Sequence, residues 1–185
     1  MFIKFLAFLT LATIMNNEFT QAIDKAAREA VDYWHNYYRT ELAAGRVKNY
    51  NGKLMPKAKD MKKMKFSMEL EKSAQAWADK CTYSHSDPGG NYGESFFATT
   101  KYENDSYAIQ RSITAWWAEL PAKGAVLPEP GQDCVPFNGP QNSRGIGHWT
   151  QLAWWETNQV GCGIGRCNKY KTICCLSLQK TVINI

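Results

Sequence analysis

The stretch Gly147–Gly163 reads GHWTQLAWWETNQVGCG. His148 to Trp155 has the pattern of a short helix, and Val160 to Gly165 begins a strand. Thr172 to Leu178 is a second extended run, and the two flank Arg166 to Lys171 as the arms of a hairpin. Upstream the patterning is helical. Helices in the first two thirds followed by strands in the last third imply an α/β layered domain.

From Asp24 to about Ala44, residues Ala27, Ala30, Val31, Trp34, Tyr38 and Leu42 recur at steps of three and four, one apolar stripe along a helix that Gly45 ends. Asn49 to Lys65 is turn-rich and then lysine-rich. Lys53, Lys57, Lys59, Lys62, Lys63 and Lys65 interleave with Met61 and Met64, which reads as a solvated face with two methionines packed inward; a basic patch for anionic lipid or glycan is the alternative. Ser67 is placed to cap a second helix, with Leu70, Ala74, Trp77 and Cys81 on one face. A Gly/Ser-rich loop follows over Thr82 to Gly93, then a short strand or bend near Phe96. Ser106 is placed to cap a third helix carrying Ile109, Ile113, Trp116, Trp117 and Leu120, with Pro121 stopping it. Ala122 to Gly147 reads as a long loop.

The chain has 185 residues, 44% of them hydrophobic and 13% aromatic, enough to close a core and unlike a disordered tail, a collagen or a coiled coil. Its net charge of +5 is mild, so nucleic-acid binding is not indicated. Residues 1–22 have the layout of a signal peptide: an early Lys4, an apolar run from Phe5 to Met15, and small residues Thr20 and Ala22. That run is too short to span a bilayer. One domain is expected over residues 23–185. Export would place Cys81, Cys134, Cys162, Cys167, Cys174 and Cys175 in an oxidising compartment, where up to three disulfides form. On a strand, adjacent Cys174 and Cys175 point to opposite faces, so they are expected to serve two different bridges. A zinc site on Cys162 and Cys167 lacks a second well-spaced pair. Asn104-Asp105-Ser106 is a glycan acceptor triplet at Asn104.

Of three histidines, His35 lies within the first helix and reads as structural, whereas His85 and His148 lie in or beside Gly/Ser-rich loops, where site residues concentrate. The Gly-x-Ser-x-Gly, His-Glu-x-x-His, Walker and dinucleotide signatures are absent. A serine triad drawn from Ser84 or Ser86, His148, and Glu94 or Glu119 carries little weight, since any chain of this length permits one. The pairs Trp116–Trp117 and Trp154–Trp155 read as core before pocket.

The stretch that opens this section resembles the signature of the CAP (SCP/TAPS) superfamily: cysteine-rich secretory proteins, insect antigen 5 and plant pathogenesis-related proteins. HNYYR at His35–Arg39, MPKAKDMKKMKFSMELEKSAQAWADKC ending at Cys81, SHS at Ser84–Ser86, GES at Gly93–Ser95 and AWWAEL at Ala115–Leu120 extend the resemblance. The wording is nearest to the activation-associated secreted and venom-allergen-like proteins of nematodes. The resemblance implies a three-layer α-β-α sandwich, disulfide-stabilised, with a cleft tetrad of His85, Glu94, Glu119 and His148, in which His85 and His148 hold a weakly bound divalent cation such as zinc. It also implies bridges Cys81–Cys167 and Cys162 with Cys174 or Cys175, the remaining one of that pair meeting Cys134. The implied function is a secreted binding or effector protein for a sterol, fatty acid or host protein, as a monomer or weak homodimer. A metal-dependent hydrolase using the tetrad, and a structural module recognising a partner through its loops, are the alternatives. Ser95 stands where the family usually has Asn, and the family's terminal motif is missing after Cys175, leaving an atypical tail.

Overall fold

A computed structural model describes residues 22–86, 92–135 and 137–178. The expected leader, except Ala22, lies outside these residues, as do Asp87 to Gly90 and the tail beyond Leu178.

Asp24 starts helix α1 (Lys25–Ala43) by accepting the Ala27 amide at 2.7 Å, which satisfies a donor that a helix start leaves free. The chain leaves the helix through Gly45, whose φ of 69° suits a residue without a Cβ. It returns along α1 with Met64 buried and its backbone held by two hydrogen bonds with the Asn36 amide. The return ends in strand β1 (Lys65–Phe66), which the lysine-rich composition conceals. Ser67 caps α2 (Met68–Ala78) as expected. Cys81 is not on that helix: it lies beyond its end with a φ of 53°.

Strand β2 (Tyr92–Thr99) is eight residues long, more than the short strand or bend expected near Phe96. Helix α3 (Asp105–Trp117) is capped by Asn104 rather than Ser106, with Asn104 Oδ1 accepting the Tyr107 amide at 2.8 Å. The earlier start is fixed by Asp105, whose carboxylate is gripped by Arg166 and by the Tyr102 hydroxyl. Pro121 does not end the helical run. The chain breaks at Ala118 and resumes as α4 (Glu119–Lys123), with Pro121 in the first turn, where a missing N–H costs nothing. The long loop contains one short helix, α5 (Gly139–Asn142), before α6 (Gly147–Ala153) and the hairpin β3 (Gln159–Arg166) and β4 (Lys171–Leu178).

The sheet order is β1-β3-β4-β2, with β1 parallel to β3 and the other pairs antiparallel. Helix α2 covers one face, and α1, α3 and α6 cover the other, so the chain is a three-layer α-β-α sandwich. Strand β3 shows why the layers fit. Val160, Cys162 and Ile164 enter the larger core, while Gly161, Gly163 and Gly165 face α2. A Cβ on Gly163 would lie 2.3 Å from Gln75 Cα, and one on Gly165 would lie 1.9 Å from the Ala78 carbonyl oxygen. Two residues of strand advance about 6.6 Å and four of helix about 6 Å, so successive glycines meet successive turns of α2. Gln75 then bonds both the amide and the carbonyl of Ile164, at 3.0 and 2.9 Å, covering the edge of β3 that the short β1 leaves open.

Two disulfides join Cys81 to Cys167 and Cys162 to Cys175, the latter directly opposite each other across β3 and β4. The expectation that Cys174 and Cys175 serve two bridges fails. Cys174 points under α2 among Leu70 and Ala74, whereas Cys134 is exposed in the long loop, and both are free thiols.

Arg39 of α1 is buried and donates to the carbonyls of Lys62, Leu152, Trp154 and Thr157. Burial lowers its pKa to about 10, and its cation neutralises the carbonyl-rich end of α6. It thereby fastens α6, the helix that carries His148.

Candidate functional site

His85 follows the Cys81–Cys167 bridge in a loop that Trp77 steadies by donating its indole N–H to the Ser84 carbonyl at 2.9 Å. Its Nδ1 lies 2.6 Å from Glu94 Oε1. The Ser86 amide donates to the same carboxylate at 3.0 Å, and the Ser86 hydroxyl donates to Oε2. The carboxylate is 4% exposed and the imidazole 62%, so a buried anion holds a ring that faces solvent.

His148, in the first turn of α6, forms a second pair. Its Nδ1 is 2.9 Å from Glu119 Oε1, and the Trp149 amide donates to Oε2 at 3.0 Å. Burial pushes the Glu119 carboxyl up, but the bonds from His148 and Trp149, with Lys123 3.7 Å away, outweigh it and hold its pKa below the ordinary value. The imidazole stacks on the Trp116 indole with ring centroids 5.9 Å apart. That indole donates its N–H to the Phe96 carbonyl on β2, two residues beyond Glu94. One tryptophan therefore ties the second pair to the strand carrying the first.

In each pair Nδ1 faces a carboxylate, to which it can only donate, and among the described residues no hydrogen bond engages Nε2 of either ring. Among the described residues, no three His, Cys, Asp or Glu side chains converge to hold an ion. The structure thus arranges the four expected residues as two separate His–Glu pairs. Neither histidine's Nδ1 meets a serine, and the Ser86 hydroxyl is committed to Glu94. His35 is buried, with Nδ1 2.8 Å from the Val31 carbonyl, and burial lowers its pKa to about 4. Trp116 and Trp117 are core, whereas Trp155 is exposed beneath the Lys62 ammonium.

The apolar stripe of α1 leaves out its exposed aromatic row. Tyr33 and Tyr37 stack with centroids 6.1 Å apart and are 59% and 44% exposed. Trp34 packs edge-on against both. Tyr38 continues the row inward, stacking on Trp117 at 4.7 Å, and Trp117 meets Trp149. The four-residue spacing of Tyr33 and Tyr37 was the available signal, since such positions are neighbours on a helix.

The layers and the paired His and Glu side chains define a disulfide-braced α-β-α sandwich. Residues 33–177 match the family described as "CAP: Cysteine-rich secretory protein family", and the chain belongs to it. Human cysteine-rich secretory protein 2 is 36% identical over 130 residues, 64% of this chain and 47% of that protein. Ancylostoma secreted protein of Ancylostoma caninum is 36% identical over 142 residues, 74% of this chain and 32% of the relative. The chain thus spans half or less of the length of these two relatives. Among solved structures, NaASP2 with Zn2+ superposes with a TM-score of 0.78 at 31% identity, covering 85% of this chain and 81% of the other. BmVAL-1 gives 0.74 at 30%, covering 84% and 78%.

Proposed function

We propose that the chain is an exported binding protein that takes an apolar ligand of the sterol or fatty-acid class on the aromatic row of α1. The observation that carries this reading is the exposed Tyr33–Tyr37 stack, continuous through Trp34 and Tyr38 with the buried Trp117. Exposed aromatic area of this kind gains free energy when a flat or extended apolar body covers it. Export is supported by the leader-like residues 1–22, by the disulfides, and by relatives described as secreted or secretory. Among the described residues no helix is long and apolar enough to cross a membrane. The test is retention of a fluorescent sterol and a fluorescent fatty acid by the parent and by Tyr33→Ser/Tyr37→Ser. Retention in the parent and loss in the variant, with an unchanged melting curve, is expected. Equal retention by both overturns the reading and leaves a protein ligand as its successor.

A second reading concerns the two His–Glu pairs. An imidazole whose Nδ1 is held by a carboxylate, and whose Nε2 makes no hydrogen bond among the described residues, is the kind of ligand zinc takes, and a solved structure similar to this chain is described with Zn2+. His85 and His148 would hold the ion, while Glu94 and Glu119 orient the rings. A bound zinc ion would supply Lewis acidity. The metal-dependent hydrolase alternative would need a carboxylate as general base, and both Glu94 and Glu119 are already engaged by a histidine Nδ1 and a backbone amide. Zinc titration by calorimetry should give weak binding that His85→Ala and His148→Ala each abolish; binding unaffected by either substitution excludes this pair of ligands.

A further inference from the structure

Between Arg46 and Lys65 the sequence carries eight basic residues against one acid, Asp60. Lys48, Lys53 and Lys57 are exposed and make no ion pair among the described residues. Lys48 and Leu54 face each other in an antiparallel bridge, which closes a turn over residues 50–52. Two apolar side chains project from this turn: Tyr50 is 69% exposed and Leu54 57%. Further contacts gather charge at the same end of the molecule. Lys57 packs on Gly45, and Tyr50 and Arg144 both approach Gly124.

The turn is held in place. Asn49 is buried; its side chain donates to the Ala125 carbonyl at 2.8 Å and accepts the Ala125 amide at 2.8 Å and the Tyr50 amide at 2.9 Å. This polar clamp fixes the turn against the chain after α4, with Tyr50 and Leu54 directed away from the core. Ordering them in advance reduces the entropy lost when a partner covers them.

We propose that this turn docks the protein on an anionic phospholipid surface, with Tyr50 and Leu54 entering the interface and Lys48, Lys53, Lys57 and Arg144 lying against headgroup phosphates. Tyrosine and leucine gain by moving into the boundary between headgroups and acyl chains, and lysines beside them are drawn to a negative leaflet. A sulfated glycan would use the cations alone and gives Tyr50 and Leu54 nothing to do. The turn shares no residue with the Tyr33–Tyr37 row, so this docking does not depend on the ligand proposed there.

The test is co-sedimentation of the full chain with vesicles of phosphatidylcholine alone and of equal parts phosphatidylcholine and phosphatidylserine. Binding to the mixed vesicles only, weakening as salt rises, is expected. Lys48→Glu/Lys53→Glu should weaken it by on the order of tenfold or more, and Tyr50→Ser/Leu54→Ser should weaken it at unchanged charge. All four residues are exposed, and melting curves confirm that the variants fold. Tyr33→Ser/Tyr37→Ser should bind the vesicles like the parent, which separates failure here from failure of the apolar-ligand reading. Absence of phosphatidylserine dependence, or binding unaltered by either double substitution, overturns the proposal. Retention on immobilised heparin without vesicle binding overturns it in favour of a glycan.

Discussion

Glu119 holds His148 with one carboxylate oxygen and the first turn of the histidine's own helix with the other. Helix α6 has Ile146 at its N-cap and no side-chain cap of its own, so a carboxylate from α4 performs that service. The orientation of the imidazole and the start of the helix thus depend on one group.

Replacing that group separates its two roles. Glu119→Gln keeps an acceptor for the Trp149 amide but offers an N–H to His148, so the ring proton should move to Nε2 with little change in melting temperature. Glu119→Ala loses both bonds and should cost about 1–2 kcal/mol. Imidazole nitrogen chemical shifts and thermal melts read the two effects; variants with parental shifts and parental melts would show that the carboxylate does neither.

Gly163→Ala forces a methyl group into the backbone of α2 and should destabilise by about 3 kcal/mol. Gly52→Ala is the control: its φ of 76° strains any L residue by about 1–2 kcal/mol, but nothing lies within 4 Å. Equal losses in thermal unfolding would mean that α2 does not sit on β3 as described.

His35 makes stability pH-dependent. Its folded pKa of about 4 lies below the 6.5 of an unfolded histidine, so the unfolded chain takes up the proton first as pH falls. The contribution is present above pH 6.5 and is lost on acidification to about 4, amounting to about 3 kcal/mol. In urea unfolding, His35→Gln should show a shallower loss between those limits; an identical slope would place the imidazole in solvent.

The free thiols should differ in reactivity. Cys134 is exposed, whereas burial, reinforced by the Glu94 carboxylate, pushes the Cys174 thiol up and leaves little thiolate. Iodoacetamide should label the native protein at Cys134 alone and reach Cys174 only after unfolding; native labelling at Cys174 would contradict its place under α2.

The parts of the fold that local chemistry dictates were legible in the sequence. The stripe of α1, the Ser67 cap and the β3–β4 hairpin all follow from side-chain period or capping. Loop composition singles out His85 and His148, but only the motif resemblance joins them to Glu94 and Glu119; no spacing links Glu119 to His148, because the loop between them closes only in three dimensions. Strand β1 was hidden because its two residues pair with β3 far along the chain. Cys174 misled because a strand assigns its face but not whether a partner waits there. Arg39 gave no sign that its cation would be spent on backbone carbonyls and not on a carboxylate.

The most direct test of the binding role is native mass spectrometry of the protein exported from eukaryotic cells. A species heavier than the folded chain by the mass of one sterol or fatty acid is expected, and it should disappear in Tyr33→Ser/Tyr37→Ser. A parent protein that stays free of such a ligand after incubation with both classes would contradict the apolar-ligand function.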